Sequence, residues 1–249
     1  MEKTNSFIIA YRIIRILSHI LLGILIIAVS WPFTEEKTRT KLTKWWCRKL
    51  LKYFNISTVT FGDPPQDNTS NNMFLANHVS WADIYALNSI LPLQFIAKSD
   101  INNWPILGYL VRKSGTIFIN RSNRKDTSRI VETTTERLIA GGNVGFFPEG
   151  TTTDGTSLAH FKSSLVQAAI NANAQLRPVA ISYPLANGGI NTEMAYAGET
   201  TLGESMMHVL KQKKPMVELH FLTPIDAQSA NRQTLTELAY KVIASTLKL

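Results

Sequence analysis

From residue 72 onward, short apolar runs alternate with stretches in which apolar side chains recur every three or four positions. The short runs predict β-strands, at residues 73–76, 93–97, 116–120, 144–147, 178–183 and 216–221. The second pattern predicts helices, at residues 81–91, 104–113, 124–140, 161–172, 203–212 and 234–247. Strands separated by helix-length segments favour an α/β fold. We therefore expect a layered domain with a mostly parallel sheet flanked by helices.

An uncharged apolar run of 18 residues precedes this pattern, at 16–33. A membrane span needs about 20 apolar residues, so three interpretations are open. The first interpretation is a secretory signal, because Lys3, Arg12 and Arg15 precede the run and small residues at 28–30 resemble a cleavage site. Alternatively it is a buried core helix, or a membrane helix that the protein retains. The next segment favours the retained membrane helix.

Residues 37–54, if helical, separate cations from apolar side chains. The cationic stripe holds Lys37, Lys41, Lys44, Arg48 and Lys52, and the other side holds Leu42, Trp45, Trp46, Leu50 and Tyr53. Such a helix suits the interface of a membrane with anionic lipids, although an ordinary solvated helix face has the same pattern. A basic segment after an apolar run is typical of the cytoplasmic side. We expect residues 1–60 to form membrane-associated helices on the cytoplasmic face and residues 61–249 to form the functional domain.

Charge and cysteine content narrow the function classes. The net charge is +8, but residues 1–60 hold ten basic and three acidic side chains, whereas the remaining 189 residues hold 16 and 15. A chain that is close to neutral outside its first 60 residues lacks the spread positive surface of a nucleic-acid-binding protein. The single cysteine, Cys47, excludes intrachain disulfides and thiolate zinc sites. No second histidine stands at ligand spacing from His78, so we expect no metal site.

A histidine and an aspartate follow the first predicted strand of the domain. His78 lies in the polar turn after the apolar run 73–76, and Asp83 lies five residues later, where a helix is expected to start. The two side chains meet only if His78 lies in the turn and Asp83 in the first helical turn. Ser80 supports this arrangement as an N-cap, with Asp83 completing a capping box. That box is also the alternative, purely structural role of Asp83.

A glutamate follows another predicted strand. Glu149 stands between Pro148 and Gly150 after the apolar run 144–147. Proline stiffens the backbone and glycine permits an unusual conformation, and together they define where the carboxylate points. A plain turn with a solvated glutamate is the alternative.

The two motifs and two further blocks resemble the glycerolipid acyltransferase family, which includes the 1-acylglycerol-3-phosphate acyltransferases. The blocks are N-H-V-S-W-A-D at 77–83, G-T-I-F-I-N-R at 115–121, F-P-E-G-T at 147–151 and R-P-V-A-I at 177–181. This resemblance implies an α/β acyltransferase domain behind a membrane-associated N-terminal helical element. It implies transfer of a fatty acyl group from acyl-CoA or acyl-[acyl carrier protein] to a lysophospholipid in the membrane, without a bound cofactor. The acceptor it favours is 1-acyl-sn-glycerol-3-phosphate, which becomes phosphatidic acid.

Acyl transfer from a thioester to an alcohol needs a base, a group that orients the base, and a clamp for the acceptor head group. Histidine titrates near neutrality, so we assign His78 as the base and Asp83 as its orienting carboxylate. Arg121 is the candidate phosphate clamp, and a solvated basic loop is its alternative. The resemblance implies that Glu149, Gly150 and Thr151 bind the acceptor. Lys98, at the end of another predicted strand, is a weaker candidate for the same cleft.

The chain departs from the family pattern directly after residue 151. Much of the family has an arginine there, whereas this chain has Thr152, Thr153 and Asp154. This version resembles the branch that acylates lyso-ornithine lipids, which is therefore the alternative acceptor. Two other classes stay open. A serine hydrolase using Ser80 is disfavoured because no G-x-S-x-G motif occurs, and a non-catalytic lipid-binding protein needs only the basic helix and an apolar groove.

Overall fold

The structure is a computed structural model, and it describes residues 4–120 and 124–249. In this part of the chain eight strands form one sheet. They are β1 (Ser57–Gly62), β2 (Asn72–Ala76), β3 (Gln94–Lys98), β4 (Ile117–Ile119), β5 (Asn143–Phe146), β6 (Gln175–Ser182), β7 (Met216–Phe221) and β8 (Ile225–Asp226).

Eight α-helices accompany the strands within the same described ranges. They are α1 (Ser6–Leu25), α2 (Glu36–Tyr53), α3 (Ala82–Ile90), α4 (Leu107–Lys113), α5 (Arg124–Ile139), α6 (Val166–Asn171), α7 (Leu202–Lys211) and α8 (Arg232–Leu247). A π-helical turn (Ile26–Ser30) and a 3₁₀ turn (Trp31–Phe33) continue α1 toward α2.

The sheet is mostly parallel, in the order β1-β7-β6-β2-β5-β3-β4, and β8 pairs with β6. The pairs β1–β7, β2–β6, β2–β5, β3–β5 and β3–β4 are parallel, while β6 is antiparallel to β7 and β8. Helices cover both faces, which is why the central strands are apolar on both sides. The expected α/β fold with a mostly parallel, helix-flanked sheet is confirmed.

Strand β2 shows how the layers divide and where the polar residues emerge. Its five residues are all buried. Phe74 and Ala76 pack with α2, α3 and α7, whereas Met73 and Leu75 pack with α5, α6 and α8. The next residues, Asn77 and His78, leave the sheet at its carboxyl edge, which is where open α/β sheets place their functional groups.

Helix α1 lies along the domain. The backbone N–H of Thr4 donates to the carbonyl oxygen of Lys211 at 2.7 Å, and Arg12 donates to the carbonyl oxygens of Leu210 and Gln212 at 3.1 and 3.2 Å. Ile16, farther along, is buried in the same core cluster as α3 and α7. One face of α1 is thus occupied by protein contacts along most of its length.

The contact between α1 and α2 is made by polar and aromatic groups. The ring Nε2 of His19 bonds the carbonyl oxygen of Trp46 at 2.9 Å, and the indole N–H of Trp46 donates to the carbonyl oxygen of His19 at 3.2 Å. The rings of these residues stack with centroids 5.0 Å apart. Gly23 permits this approach, because a Cβ there would lie 2.6 Å from Nε1 of Trp46.

Much of the apolar side of α2 faces the protein and not a membrane, although Trp45 on that side is exposed. Leu50 is buried with Leu51 in the core cluster that contains α3, and Trp46 packs against the same cluster. Strand β1 then adds to the sheet beside β7 and runs through residues 60 and 61. The division of the chain at that point stays a prediction.

Several elements differ from the sequence-based expectations, among them the short strand β8, which the pattern did not predict, and α4, which begins at Leu107 and not at residue 104. The pattern did not predict β1, since its residues are half-exposed at the edge of the sheet and alternate weakly. The helix expected at 161–172 is shorter, because α6 begins at Val166. The preceding residues turn toward the site instead, and the N–H of Lys162 donates to the carbonyl oxygen of Pro148 at 3.0 Å.

Candidate active site

His78 and Asp83 form a hydrogen-bonded pair at the carboxyl end of β2. Nδ1 of His78 lies 2.8 Å from Oδ2 of Asp83, and because a carboxylate accepts, Nδ1 donates. The same oxygen accepts the backbone N–H groups of Val79 at 2.8 Å and Ser80 at 2.9 Å. The turn and the first residues of α3 thus bring the two side chains together, as their spacing predicted.

The expected capping box is only half formed. Asp83 accepts the Ser80 N–H, but the Ser80 hydroxyl accepts the N–H of Ala82 at 3.3 Å. The reason is that α3 begins at Ala82, so that Asp83 is its second residue. One oxygen of Asp83, Oδ2, therefore accepts hydrogen bonds both from the turn backbone and from the imidazole.

The imidazole of His78 is held by its face as well as by its edge. It stacks on the ring of Phe147 with centroids 3.8 Å apart and an angle of 7° between the planes. The ring of Phe95 also stacks with that of Phe147, with centroids 5.6 Å apart. The His78 side chain is 17% exposed, and the bond from Nδ1 to Asp83 fixes the orientation of the ring. A general base requires this kind of fixed orientation.

Glu149 joins the end of β5 to the His78 turn. Its Oε1 accepts the backbone N–H of His78 at 2.7 Å, and its Oε2 accepts the N–H of Ala159 at 2.8 Å. Burial raises the pKa of Glu149, and the bonds from Ala159 and His78 oppose that rise. With both oxygens engaged, Glu149 braces the backbone of His78, and acceptor binding by this carboxylate stays a prediction.

Other braces of the turn were not visible in the sequence. The side chain of Asn77 bonds both backbone groups of Ile181, at 2.7 and 2.9 Å, across the gap between β2 and β6. The N–H of Thr153 donates to the carbonyl oxygen of His78 at 2.9 Å. Ile181 and Thr153 lie far from His78 along the chain, and only the pairing of β2 with β5 and β6 brings them near it.

A tyrosine completes the surroundings of Asp83. The hydroxyl of Tyr183, the residue after β6, donates to Oδ1 of Asp83 at 2.5 Å. Nothing in the sequence pattern distinguishes this residue from the other aromatic side chains that end apolar runs.

The remaining predicted site residues are placed as follows. Gly150 follows Glu149 with φ of 75°, a left-handed conformation that favours glycine, and Thr151 is exposed beside it. Lys98 ends β3, which β5 separates from β2, and its ammonium pairs with Asp100. Arg121 lies outside the described residues. Acceptor binding by these four residues stays a prediction.

Comparison with known proteins identifies a family and similar relatives. The family described as Acyltransferase matches residues 59–182. A lyso-ornithine lipid O-acyltransferase of Pseudomonas aeruginosa is 34% identical over 209 residues, which cover 84% of this chain and 79% of the relative. A 1-acyl-sn-glycerol-3-phosphate acyltransferase of Neisseria gonorrhoeae is 37% identical over 177 residues, which cover 71% of this chain and 69% of the relative.

A solved structure has the same fold. The crystal structure of the 1-acyl-sn-glycerophosphate acyltransferase of Thermotoga maritima superposes with a TM-score of 0.68 at 18% identity, covering 95% of this chain and 96% of that one. At this identity the likeness concerns the fold alone.

A histidine oriented by a carboxylate at the edge of a mostly parallel sheet, together with relatives that transfer acyl groups, defines an O-acyltransferase. The chain belongs to the acyltransferase family of lysophosphatidate and lyso-ornithine lipid acyltransferases. The resemblance drawn from its four sequence blocks is thereby confirmed, and family membership favours acyl transfer over the hydrolase and lipid-binding alternatives.

Proposed function

We propose that His78 is the general base of a lysolipid acyltransferase and that Asp83 orients it. The observation that carries this proposal is the 2.8 Å bond between Nδ1 of His78 and Oδ2 of Asp83. It selects the tautomer whose Nε2 has a free lone pair, and it stabilises the imidazolium that forms during the reaction.

The reaction then needs no covalent acyl-enzyme. Nε2 of His78 takes the proton of the acceptor hydroxyl while that oxygen attacks the carbonyl carbon of the acyl thioester. The tetrahedral intermediate collapses, the C–S bond breaks, and the imidazolium returns the proton to the leaving thiolate. The products are an ester and a free thiol. Either acyl-CoA or acyl-[acyl carrier protein] supplies the thioester in this scheme.

The acceptor that we propose first is 1-acyl-sn-glycerol-3-phosphate. The gonococcal relative carries this activity in its name, and Arg121 supplies a cation for the phosphate.

Lyso-ornithine lipid is the second candidate, because the loop after Glu149 favours it. The family arginine is replaced by Thr152, and the exposed carboxylate of Asp154 follows the residue that bonds the His78 carbonyl. Hydrogen bonds from Thr156 hold the pKa of Asp154 below its usual value, so a negative charge persists there.

We further propose that α1 lies in one leaflet of a membrane, with the domain on the cytoplasmic face. Within the described residues, Ser6–Ser30 is the helical stretch that is long and apolar enough to cross a bilayer. Protein contacts along one face of α1 favour a helix lying along the surface over one that crosses it. Its other face exposes large apolar side chains, namely Phe7, Tyr11, Ile14, Leu17, Leu21, Leu25 and Val29, as an interfacial helix does.

The proposal is tested with purified protein in lipid vesicles. Labelled acyl-CoA and acyl-[acyl carrier protein] are each offered with lysophosphatidate, lysophosphatidylcholine or lyso-ornithine lipid, and diacyl product is measured. We expect His78→Ala to lower the rate about 100-fold or more while its thermal unfolding stays within a few degrees of the parent. A His78→Ala protein that retains more than a tenth of the parental rate contradicts the assignment of the base.

A further inference from the structure

The two oxygens of the Asp83 carboxylate have different hydrogen-bond donors. Oδ2 receives the imidazole of His78 and two backbone N–H groups. Oδ1 receives the hydroxyl of Tyr183 at 2.5 Å. Asp83 is fully buried, so water does not replace a donor that is lost. The position of Oδ2 beside the imidazole therefore depends on what holds Oδ1 as well as on the two backbone N–H groups.

Tyr183 is itself held in place from three sides. It follows Ile181 and Ser182 at the end of β6, where Asn77 bonds both backbone groups of Ile181. Its carbonyl oxygen accepts the N–H of Asn191 at 2.7 Å. Its ring is buried in the core cluster that also contains Trp81 and Val79. The hydroxyl thus reaches Asp83 from a rigid strand end and not from a mobile loop.

The hydroxyl is a donor throughout the pH range of an acyltransferase assay. Burial, together with the charge of Asp83, raises the pKa of Tyr183 well above its usual value. A donor to Oδ1 stabilises the ionised carboxylate and withdraws charge from the oxygen that faces His78. The ionisable groups facing Asp83 are His78 from the turn, Tyr183 from the end of β6 and Glu149 from the end of β5.

We propose that Tyr183 is a positioning residue for acyl transfer: its hydroxyl holds Oδ1 of Asp83 so that Oδ2 stays aligned with Nδ1 of His78. The relay then runs from Tyr183 through Asp83 to His78, although Tyr183 does not touch the substrate. This inference rests on the roles proposed above for His78 and Asp83.

The test is Tyr183→Phe, which removes the hydroxyl and keeps the ring. We expect kcat to fall about tenfold or more while KM for donor and acceptor changes by less than about twofold. The acid limb of the kcat/KM profile should move to higher pH, because Oδ2 becomes more negative and stabilises the imidazolium. Tyr85→Phe is the matched control: Tyr85 lies two residues after Asp83 on α3, packs between Trp46 and Trp81, and should leave both readouts unchanged.

A second variant guards against a folding defect. Site-specific 3-fluorotyrosine at position 183 keeps the shape and makes the hydroxyl a stronger donor, so the acid limb should move to lower pH, opposite to Tyr183→Phe. Opposite shifts support the relay. Unchanged limbs in both proteins, or a loss of kcat that follows thermal stability alone, overturn it. If the relay is overturned while His78→Ala is inactive in the same assay, only the role of Tyr183 is refuted. An active His78→Ala protein refutes the proposed function itself.

Discussion

At the scale of single residues, the site is a short motif supported by distant groups. His78 and Asp83 lie five positions apart, so helix and turn geometry alone could predict that they meet. Tyr183 is 100 residues from Asp83 in the chain. Its contact exists because β6 pairs beside β2, and local sequence patterns contain no information on that pairing.

A substitution at Glu149 can show whether this carboxylate supports the His78 backbone or binds the acceptor. In Glu149→Gln the amide nitrogen faces one of the two backbone N–H groups that the carboxylate now accepts. We expect a loss of about 1–3 kcal/mol in the free energy of unfolding, together with a lower kcat, because the His78 backbone loses its anchor. Denaturant unfolding and steady-state kinetics measure both effects.

The surface variant Glu136→Gln on α5 is the control, and it should change neither quantity. If Glu149→Gln instead raises only KM for the acceptor at unchanged stability, the carboxylate binds the acceptor and does not brace the turn.

At the scale of elements, the loop after Glu149 is where acceptor choice can be altered. The hydroxyl of Thr152 donates to the carbonyl oxygen of Tyr196, and the N–H of Tyr196 donates to the carbonyl oxygen of Val79 at 2.8 Å. Position 152 is thus linked to the backbone next to His78. With the proposed phosphate acceptor, we expect a cation placed there to reach the phosphate of the bound lysolipid.

We expect Thr152→Arg to raise the ratio of kcat/KM for lysophosphatidate over lyso-ornithine lipid about tenfold, the effect of one charge-assisted hydrogen bond. Competition assays with both acceptors in the same vesicles measure this ratio directly. Ser157→Arg adds the same charge at an exposed position of the same loop and should leave the ratio near that of the parent. A Thr152→Arg ratio equal to that of Ser157→Arg means that position 152 does not face the head group.

Elements differed in how far the sequence predicted them. The central strands β2, β5 and β6 are continuous apolar runs, and the pattern located them within a few residues. The edge strand β1 has polar and apolar residues on a half-exposed surface, so its strand character arises from pairing with β7. Residues 161–165 have helical periodicity but turn toward Pro148, because tertiary hydrogen bonds outweigh local propensity there.

At the scale of the whole molecule, the proposed role of α1 is to hold the enzyme at the membrane. We expect the double variant Leu17→Glu with Leu21→Glu to lose recovery with anionic vesicles, since these side chains are 56% and 65% exposed, one helical turn apart, on the face proposed to enter the leaflet. Vesicle sedimentation measures recovery, and far-ultraviolet circular dichroism checks the fold.

Helix α8 offers a matched control for this variant. Leu238 and Val242 have the same spacing and are 41% and 39% exposed, so Leu238→Glu with Val242→Glu adds the same charge elsewhere and should sediment like the parent. Equal recovery of the two double variants means that the anchor is not the exposed face of α1. Deleting residues 1–54 is a poor test, because Leu50, Leu51 and Phe54 belong to the core.

The topology of the sheet was only partly predictable. Helices between strands indicated parallel pairing, which holds for most pairs. The antiparallel β6–β7 contact was not foreseeable, since the segment between these strands contains α7 and has the length of a parallel crossover.

The docking of α1 on the domain has a consequence for kinetics. A catalytic unit joined rigidly to a helix in the leaflet meets its acceptor by lateral diffusion in two dimensions, while its donor arrives from the aqueous phase. The effective acceptor concentration is then the mole fraction of lysolipid in the bilayer. Adding inert lipid to the bilayer while the total lysolipid concentration of the sample stays constant should slow the reaction. Adding more vesicles of the same composition should not slow it.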